Sequence, residues 1–231
     1  METNLIAVRN LEFGYPVGGF RLRVAELQVG AGESVALVGP SGCGKTTLIN
    51  LLAGIEEAAA GVIEVAGLDL VQLAPEDRQD LRILKVGLVF QEFELLEYLE
   101  VLDNVLLPYR LTSLLEFDDG VRERASALLS DLGLGDKMRR YPTQLSQGER
   151  QRVALCRALV TKPAVVLGDE PTGNLDPGNR DHVIDALLTY GRQTGAPVVV
   201  VTHDHELLPR FDRVMKVDEL VSDRGEKAAD V

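Results

Sequence analysis

The residues with the most chemistry in them lie between Gly39 and Thr47, GPSGCGKTT. A glycine, four residues, then Gly44-Lys45-Thr46 is the spacing of a phosphate-binding loop. Each residue type has a reason. Glycines let the backbone turn tightly enough for consecutive N–H groups to point at phosphate oxygens. A helix that follows adds the partial positive charge of its N-terminus. The Lys45 ammonium can reach the β- and γ-phosphates of a nucleoside triphosphate, and the Thr46 hydroxyl can take a coordination position on Mg2+. Gly39, Pro40, Ser41, Gly42, Cys43, Gly44, Lys45, Thr46 and Thr47 are therefore candidate nucleotide contacts. The plain alternative is a glycine-rich turn. It is outweighed by nine residues in register between an apolar run, Ser34 to Val38, and a helix candidate, Thr46 to Ala53.

Two further stretches carry chemistry. Val165-Val166-Leu167-Gly168-Asp169-Glu170 is an apolar run that delivers acids at its C-terminal end. Asp169 there suits a hydrated Mg2+, and Glu170 can orient or deprotonate an attacking water. Alone, the run reads equally well as a strand followed by an acidic turn; the phosphate loop upstream favours the metal-and-water reading. Leu145-Ser146-Gln147-Gly148-Glu149 opens a helical pattern. Ser146 is a natural N-cap, and a small hydroxyl with a glycine at a helix start makes an anion site. In isolation it is only a cap, and its distance in sequence from the phosphate loop leaves its placement open.

The elements that must position these residues can be read from periodicity. Leu5 to Val8 is a short apolar strand, and Phe20 to Val24 alternates as a half-buried strand should. Gly14 to Gly19 between them is a turn by composition. Val62 to Val65 is another strand. Pro75 to Leu84 reads as a helix with proline in its first turn, followed by a buried strand, Val86 to Phe90, that ends at Gln91. From about Leu95 to Gln144 the pattern is helical, clearest over Val121 to Leu132 and closed by Gly133. A second helix runs from Gln147 to Thr161, where Lys162-Pro163 stops it. Ala164 to Leu167 and Pro197 to Val201 are buried strands, and Val214 to Val217 is an edge strand. Asn179 to Tyr190 is an amphipathic helix ending at Gly191. Strands alternating with helices imply an α/β fold, with a mostly parallel sheet and an antiparallel N-terminal part. The expected organisation is one domain over 1–231. Its α/β core with β subdomain covers about 1–94 and 160–220, a helical subdomain is inserted over about 95–159, and 221–231 is a flexible tail.

Composition narrows the setting. The 231 residues are 45% hydrophobic, ample for a core, and carry a net charge of −12. That balance argues against wrapping a nucleic acid, which needs clustered Lys and Arg. No apolar run approaches the roughly 18 residues of a membrane-spanning helix. The opening METNLIAVRN has no basic segment followed by an apolar one, so no signal peptide is expected. Cys43 and Cys156 lack metal-ligand spacing, and a disulfide from inside the phosphate loop is hard to accommodate. A reducing cytoplasm fits.

These marks in order (GPSGCGKTT, Gln91 after a strand, LSQGE, VVLGDEP, Asn174-Leu175-Asp176, and His203 after a strand) resemble the ATP-binding cassette ATPases, the nucleotide-binding subunits of ABC transporters. The resemblance runs from about residue 3 to 218 and implies a P-loop NTPase core. Tyr15 is similar to the family's adenine-stacking aromatic, with Phe13 and Phe20 as competitors. Gln91 resembles the glutamine that contacts Mg2+ and the attacking water, Glu170 the catalytic carboxylate, and His203 the histidine that contacts the γ-phosphate. Lys45, Gln91, Glu170 and His203 are thus the catalytic set, and Thr46, Gln91 and Asp169 the Mg2+ set. The resemblance also implies a head-to-tail dimer of two copies with two ATPs at the interface. Ser146 and Gly148 of one copy would close on the γ-phosphate held by Lys45 of the other, and Asp176 would couple the two sites. Two departures stand out: LSQGE replaces the usual LSGGQ, and Gly168 softens the apolar run before Asp169.

Pro171 to Asp176 and Asp103 to Pro108 resemble the branch of lipoprotein-release, macrolide-export and cell-division ATPases. That implies an ATP-hydrolysing subunit, cytoplasmic and peripheral at the inner face of the cell membrane, driving a separate integral membrane permease. Phe93, Leu95, Leu96, Tyr98 and Leu99 are candidates to line the permease-docking groove, or alternatively core residues of the helical subdomain. Nucleic acid is not an expected partner. The competing reading is a soluble ABC ATPase acting on nucleic acid or ribosomes; such forms carry a coiled-coil insertion or two cassettes, neither visible here. A P-loop kinase would leave LSQGE and His203 without a role.

Overall fold

A computed structural model describes residues 4–17 and 19–220. Gly18 of the expected turn, and the tail expected from Ser222, lie outside the described residues.

Four strands form an antiparallel sheet: β1 (Asn4–Gly14), β2 (Arg21–Gly30), β4 (Ala60–Val65) and β5 (Leu68–Asp69), in the order β2-β1-β4-β5. β1, with 11 residues, is nearly three times and β2, with 10, twice the length the apolar spacing suggests. Arg9, Asn10 and Glu12 interrupt the apolar run yet are exposed, while Leu11 and Phe13 are buried, so the strand continues with one face in water. Five strands form a wholly parallel sheet: β3 (Ser34–Val38), β6 (Val86–Phe90), β7 (Val165–Asp169), β8 (Val198–Val201) and β9 (Arg213–Lys216), in the order β6-β7-β8-β3-β9. β3, β7 and β8 are buried nearly throughout, which is why they read as continuous Val/Leu/Ala runs. β9 takes the edge and ends one residue earlier than its apolar pattern suggests, because Val217 starts α8 (Val217–Leu220).

The helices are α1 (Lys45–Leu52), α2 (Pro75–Lys85), α3 (Val101–Val105), α4 (Leu107–Leu111), α5 (Asp119–Asp131), α6 (Gln147–Leu159) and α7 (Pro177–Thr194). Between 95 and 144 the helical pattern is broken into short pieces, since Pro108 sits at the start of α4 and two 3-10 turns begin at Gly135 and Pro142. One apolar core lies between the two sheets and takes in α1 and α2. A second packs α6 and α7 against the parallel sheet. A third joins Val101, Val105 and Leu106 to Val121, Ala125, Leu129, Val153 and Cys156.

The register of the parallel sheet is what positions a site. Phe90 lies opposite Asp169, Asp169 opposite Val201, and Val201 opposite Leu37. The C-terminal ends of β6, β7, β8 and β3 therefore share one line, the edge at which open parallel sheets bind ligands.

Candidate nucleotide site

Four loops leave that line together, and each carries a residue singled out by its chemistry. Gln91 follows β6, Glu170 follows β7, His203 follows β8, and Gly39 opens the loop after β3. The loop wraps into α1 through Gly44, whose φ of 101° only glycine adopts without strain. A Cβ there would also meet Phe20 Cζ at 2.9 Å and Leu22 Cδ1 at 3.0 Å. The loop thus rests on aromatic and apolar side chains of the antiparallel sheet. Lys45 Nζ folds back across it and donates to the carbonyls of Gly39 at 2.9 Å and Pro40 at 3.0 Å.

Beside the loop, Tyr15 packs edge-on to Phe13, with ring centroids 4.8 Å apart, and tilted to Phe20 at 5.9 Å. Its hydroxyl lies 3.5 Å from Thr47 Oγ1. Phe13 is only 6% exposed and Tyr15 37%. Of the three aromatic candidates, Phe13 is therefore committed to the core, while Tyr15 keeps an open ring and Phe20 backs the loop.

Asp169 ends β7 with its Oδ1 buried and, among the described residues, without a hydrogen-bond partner. Burial raises its carboxyl above the usual range and Glu170 adds to the rise, while the Thr46 hydroxyl and Lys45 pull the other way. A buried, unpartnered carboxylate oxygen beside a hydroxyl fits a divalent cation, because a hard cation takes oxygen ligands and compensates the desolvated charge.

Glu170 sits in a left-handed turn at φ 47°, which costs a non-glycine residue roughly 1 kcal/mol or more. The turn is fixed by Glu170 N donating to Val201 O at 3.0 Å and Gly173 N donating to Glu170 O at 3.1 Å. It aims the carboxylate across the end of β8, where Oε2 lies 2.9 Å from His203 Nδ1. A Cβ placed on Gly173 would lie 3.2 Å from Gln91 Nε2 and 3.5 Å from Glu170 Oε2. Gln91 and His203 thus lie on either side of the Glu170 carboxylate.

Ser146 and Gly148 take part in a different arrangement. Ser146 Oγ accepts from Glu149 N at 3.3 Å, and Glu149 Oε2 accepts from Ser146 N at 2.9 Å, a complete capping box at the start of α6. Glu149 is also paired with Lys137, and that hydrogen bond, with the Ser146 amide, holds its carboxyl below the usual range. The departure from glutamine to Glu149 therefore places a paired acid, not a bare one, at the start of α6. At Gly148 a Cβ would meet Asn179 Cγ at 2.5 Å, so α6 approaches the first turn of α7 closely. Asp176 caps α7 by accepting from Asn179 N at 3.1 Å; the Asn179 side chain donates to Asp176 Oδ2 at 2.5 Å and is also bonded by Arg152. Within one chain LSQGE and Asp176 thus form one braced unit.

Reading residue types missed the supports. Gln151, fully buried, donates to Phe90 O at 3.2 Å, and Arg157 donates to Phe93 O at 2.9 Å, so α6 grips the segment around Gln91. Asn104, also buried, donates to Leu96 O at 3.0 Å and accepts from Leu96 N at 2.8 Å, locking the loop before α3. Arg180 pairs with Asp204 and Glu206. Gln151, Arg157 and Arg180 find their partners far along the chain, where no local spacing signals them, and Asn104 reaches eight residues back across a loop.

The residues expected to line a docking groove are not the ones that wall the apolar cleft beside Phe90. An apolar cleft of about 460 Å³ does lie beside Phe90, but Ile55, Leu88, Leu107, Pro108 and Leu111 wall it, with Arg82 and Arg157. Of residues 93–99 it takes only Glu94. Leu95 turns toward the third core and Tyr98 into solvent, because Asn104 holds their loop the other way.

Fold and site together define a P-loop nucleotide-binding protein of α/β architecture. Comparison with known proteins carries this further. The family model described as ABC transporter matches residues 22–173. The uncharacterized ABC transporter ATP-binding protein YbbA of Escherichia coli K12 is 42% identical over 217 residues, 93% of this chain and 94% of its own. The lipoprotein-releasing system ATP-binding protein LolD of Novosphingobium aromaticivorans is 40% identical over 223 residues, 95% and 98% of the two chains. A solved dimer of the ATP-binding cassette MJ0796, in a post-hydrolysis state with ADP and phosphate, superposes with a TM-score of 0.82 at 30% identity, over 96% of this chain and 98% of its own. The chain belongs to the ABC transporter family and is one of its ATP-binding ATPase cassettes.

Proposed function

We propose that the protein hydrolyses ATP in a head-to-tail dimer and passes the resulting closure and opening to a separate membrane permease. The observation that carries this is the common line of strand ends, which gathers the phosphate loop, Gln91, Asp169, Glu170 and His203 at one edge. In this reading the adenine stacks on Tyr15, and the phosphates enter the loop between Gly39 and Thr47. Lys45 exchanges its two backbone carbonyls for β- and γ-phosphate oxygens. Mg2+, held by Thr46, Asp169 and Gln91, supplies neutralisation of the phosphate charge when bound. Glu170 orients the attacking water and accepts its proton, and His203 holds Glu170 on one side and the γ-phosphate on the other.

Ser146 and Gly148 come from the second copy, and Asp176 couples the two sites. The capping box uses the Ser146 and Glu149 amides, so an anion at the start of α6 would take those of Gln147 and Gly148. LolD and MacB are named as lipoprotein-releasing and macrolide-export proteins, which supports an export or release role for this chain, located in the cytoplasm at the inner face of the membrane. No helix of the described residues is long and apolar enough to cross a membrane; in this reading the permease is a separate polypeptide. The helices over about 95–159 act as the subdomain that moves. The apolar cleft beside Phe90, with Leu111 exposed at its rim, is the surface we assign to the permease.

Ser146→Arg tests the two-copy site. It leaves the chain's own phosphate loop untouched, so the variant binds ATP as the parent does and loses hydrolysis. Parental turnover by Ser146→Arg would overturn the trans arrangement.

A further inference from the structure

The loop that carries His203 is held on its two sides by different means. On the far side, Leu207 and Phe211 are buried in the second core, and Arg210 pairs with Asp181 and Asp185 of α7. On the His203 side, the loop's own bonds are local: Asp204 N donates to Thr202 Oγ1 at 3.1 Å, and Glu206 N donates to Asp204 Oδ1 at 2.9 Å. These shape a turn without fastening it to anything else. Arg180 fastens it. Its Nη1 donates to Asp204 Oδ2 at 2.6 Å and to Glu206 Oε2 at 2.9 Å, while Nε lies 3.3 Å from Asp181 Oδ1.

The two pairs differ in weight. Arg180 and Asp204 are 16% and 26% exposed at their side chains, whereas Glu206 is 77% exposed and its pair is screened. Asp204 is the partner that matters. Removing the guanidinium would leave Asp204 and Glu206, two acids of one turn, repelling each other beside Glu170, with Asp181 close by. Arg180 also lines the polar hollow of about 330 Å³ that holds Glu170 and His203.

The other end of this tie is the first turn of α7. Arg180 N donates to Asp176 O at 2.9 Å, so the guanidinium springs from the turn that Asp176 caps. The neighbouring residue, Asn179, packs under Gly148 of LSQGE. Successive residues of one helical turn thus hold the two groups offered to the other copy and the histidine loop of the chain's own site.

We propose that Arg180 is a positioning residue for hydrolysis, fastening the His203 loop to the Asp176 turn so that seating of that turn at the dimer interface sets the contact between His203 and Glu170. This rests on the reading of His203 and Asp176 given above. It makes α7 the rigid link between the surface that meets the second copy and the cis γ-phosphate site.

The experiment is a double-mutant cycle on kcat, with Arg180→Ala and His203→Ala made singly and together. Arg180→Ala is expected to lower kcat about tenfold with KM for ATP within about twofold of the parent, because the phosphate loop is untouched. In the His203→Ala background it should cost nothing further, and Arg180→Lys should restore part of the loss through Asp204. Should Arg180→Ala fold poorly by thermal unfolding, Arg180→Gln takes its place in the same cycle. Parental kcat for the Arg180 variant, or losses that multiply across the cycle, would overturn the proposal. Failure of the underlying reading shows separately, as near-parental kcat in His203→Ala alone.

Discussion

A carboxylate held in a left-handed turn, 2.9 Å from a histidine, is an unusual thing for a chain to build. The strain at Glu170 persists because backbone bonds to Val201 and Gly173 over-determine the turn. Its use, on this account, is to aim one oxygen at a water. Glu170→Gln keeps the shape and loses the base, so kcat should fall roughly 10²-fold or more while ATP affinity is retained, measured by steady-state hydrolysis and nucleotide titration. Near-normal turnover would remove Glu170 from the role. At this scale, the sequence made legible those residues whose chemistry fixes their type: a lysine and threonine after glycines, an acid pair at a strand end, a serine at a helix start. Arg180, Asn179 and Gln151 were illegible for the opposite reason. Their types are ordinary, and only the fold brings them to Asp204, Gly148 and Phe90.

Between elements, the important fact is that β3 is flanked by β8 and β9 in parallel register, so its C-terminal loop opens from an interior strand and not from the sheet's edge. The entry of β3 is pinned to the edge strand by one side chain. Asp212 Oδ2 accepts from Ser34 N at 2.8 Å and from Ser34 Oγ at 2.6 Å. Those bonds from Ser34 hold the Asp212 carboxyl below the usual carboxylate range. A folded-state value below the unfolded one stabilises the fold above the unfolded value, about 3.9, and that contribution is lost as pH falls through the folded value. Asp212→Asn should therefore unfold a few degrees lower than the parent at pH 7, and the gap should close as the pH is taken below that range. A gap independent of pH would mean that the carboxylate charge contributes nothing.

The buried strands were plain in the sequence as unbroken apolar runs, because both their faces are covered. The two residues of β5, and the breaks among α3, α4 and α5, were not. Asn104 and the 3-10 turns reshape that stretch through contacts that periodicity does not record.

For the molecule as a whole, the account above has one chain give the phosphate loop, Asp169 and Glu170 to its own hydrolytic site and the helix start at Ser146 to that of the other copy. The net charge of −12 argues against wrapping a nucleic acid, and similarity to ATP-binding subunits over nearly the whole chain points to a membrane partner. Hydrolysis, on this account, then depends on a second copy. Light scattering on the purified Glu170→Gln variant with saturating ATP and Mg2+ measures that dependence. The account predicts a mass twice the chain's 25.2 kDa with ATP, returning to that of one chain when nucleotide is withdrawn or when Ser146→Arg is added. A variant that binds ATP fully and still scatters as a single chain would contradict it.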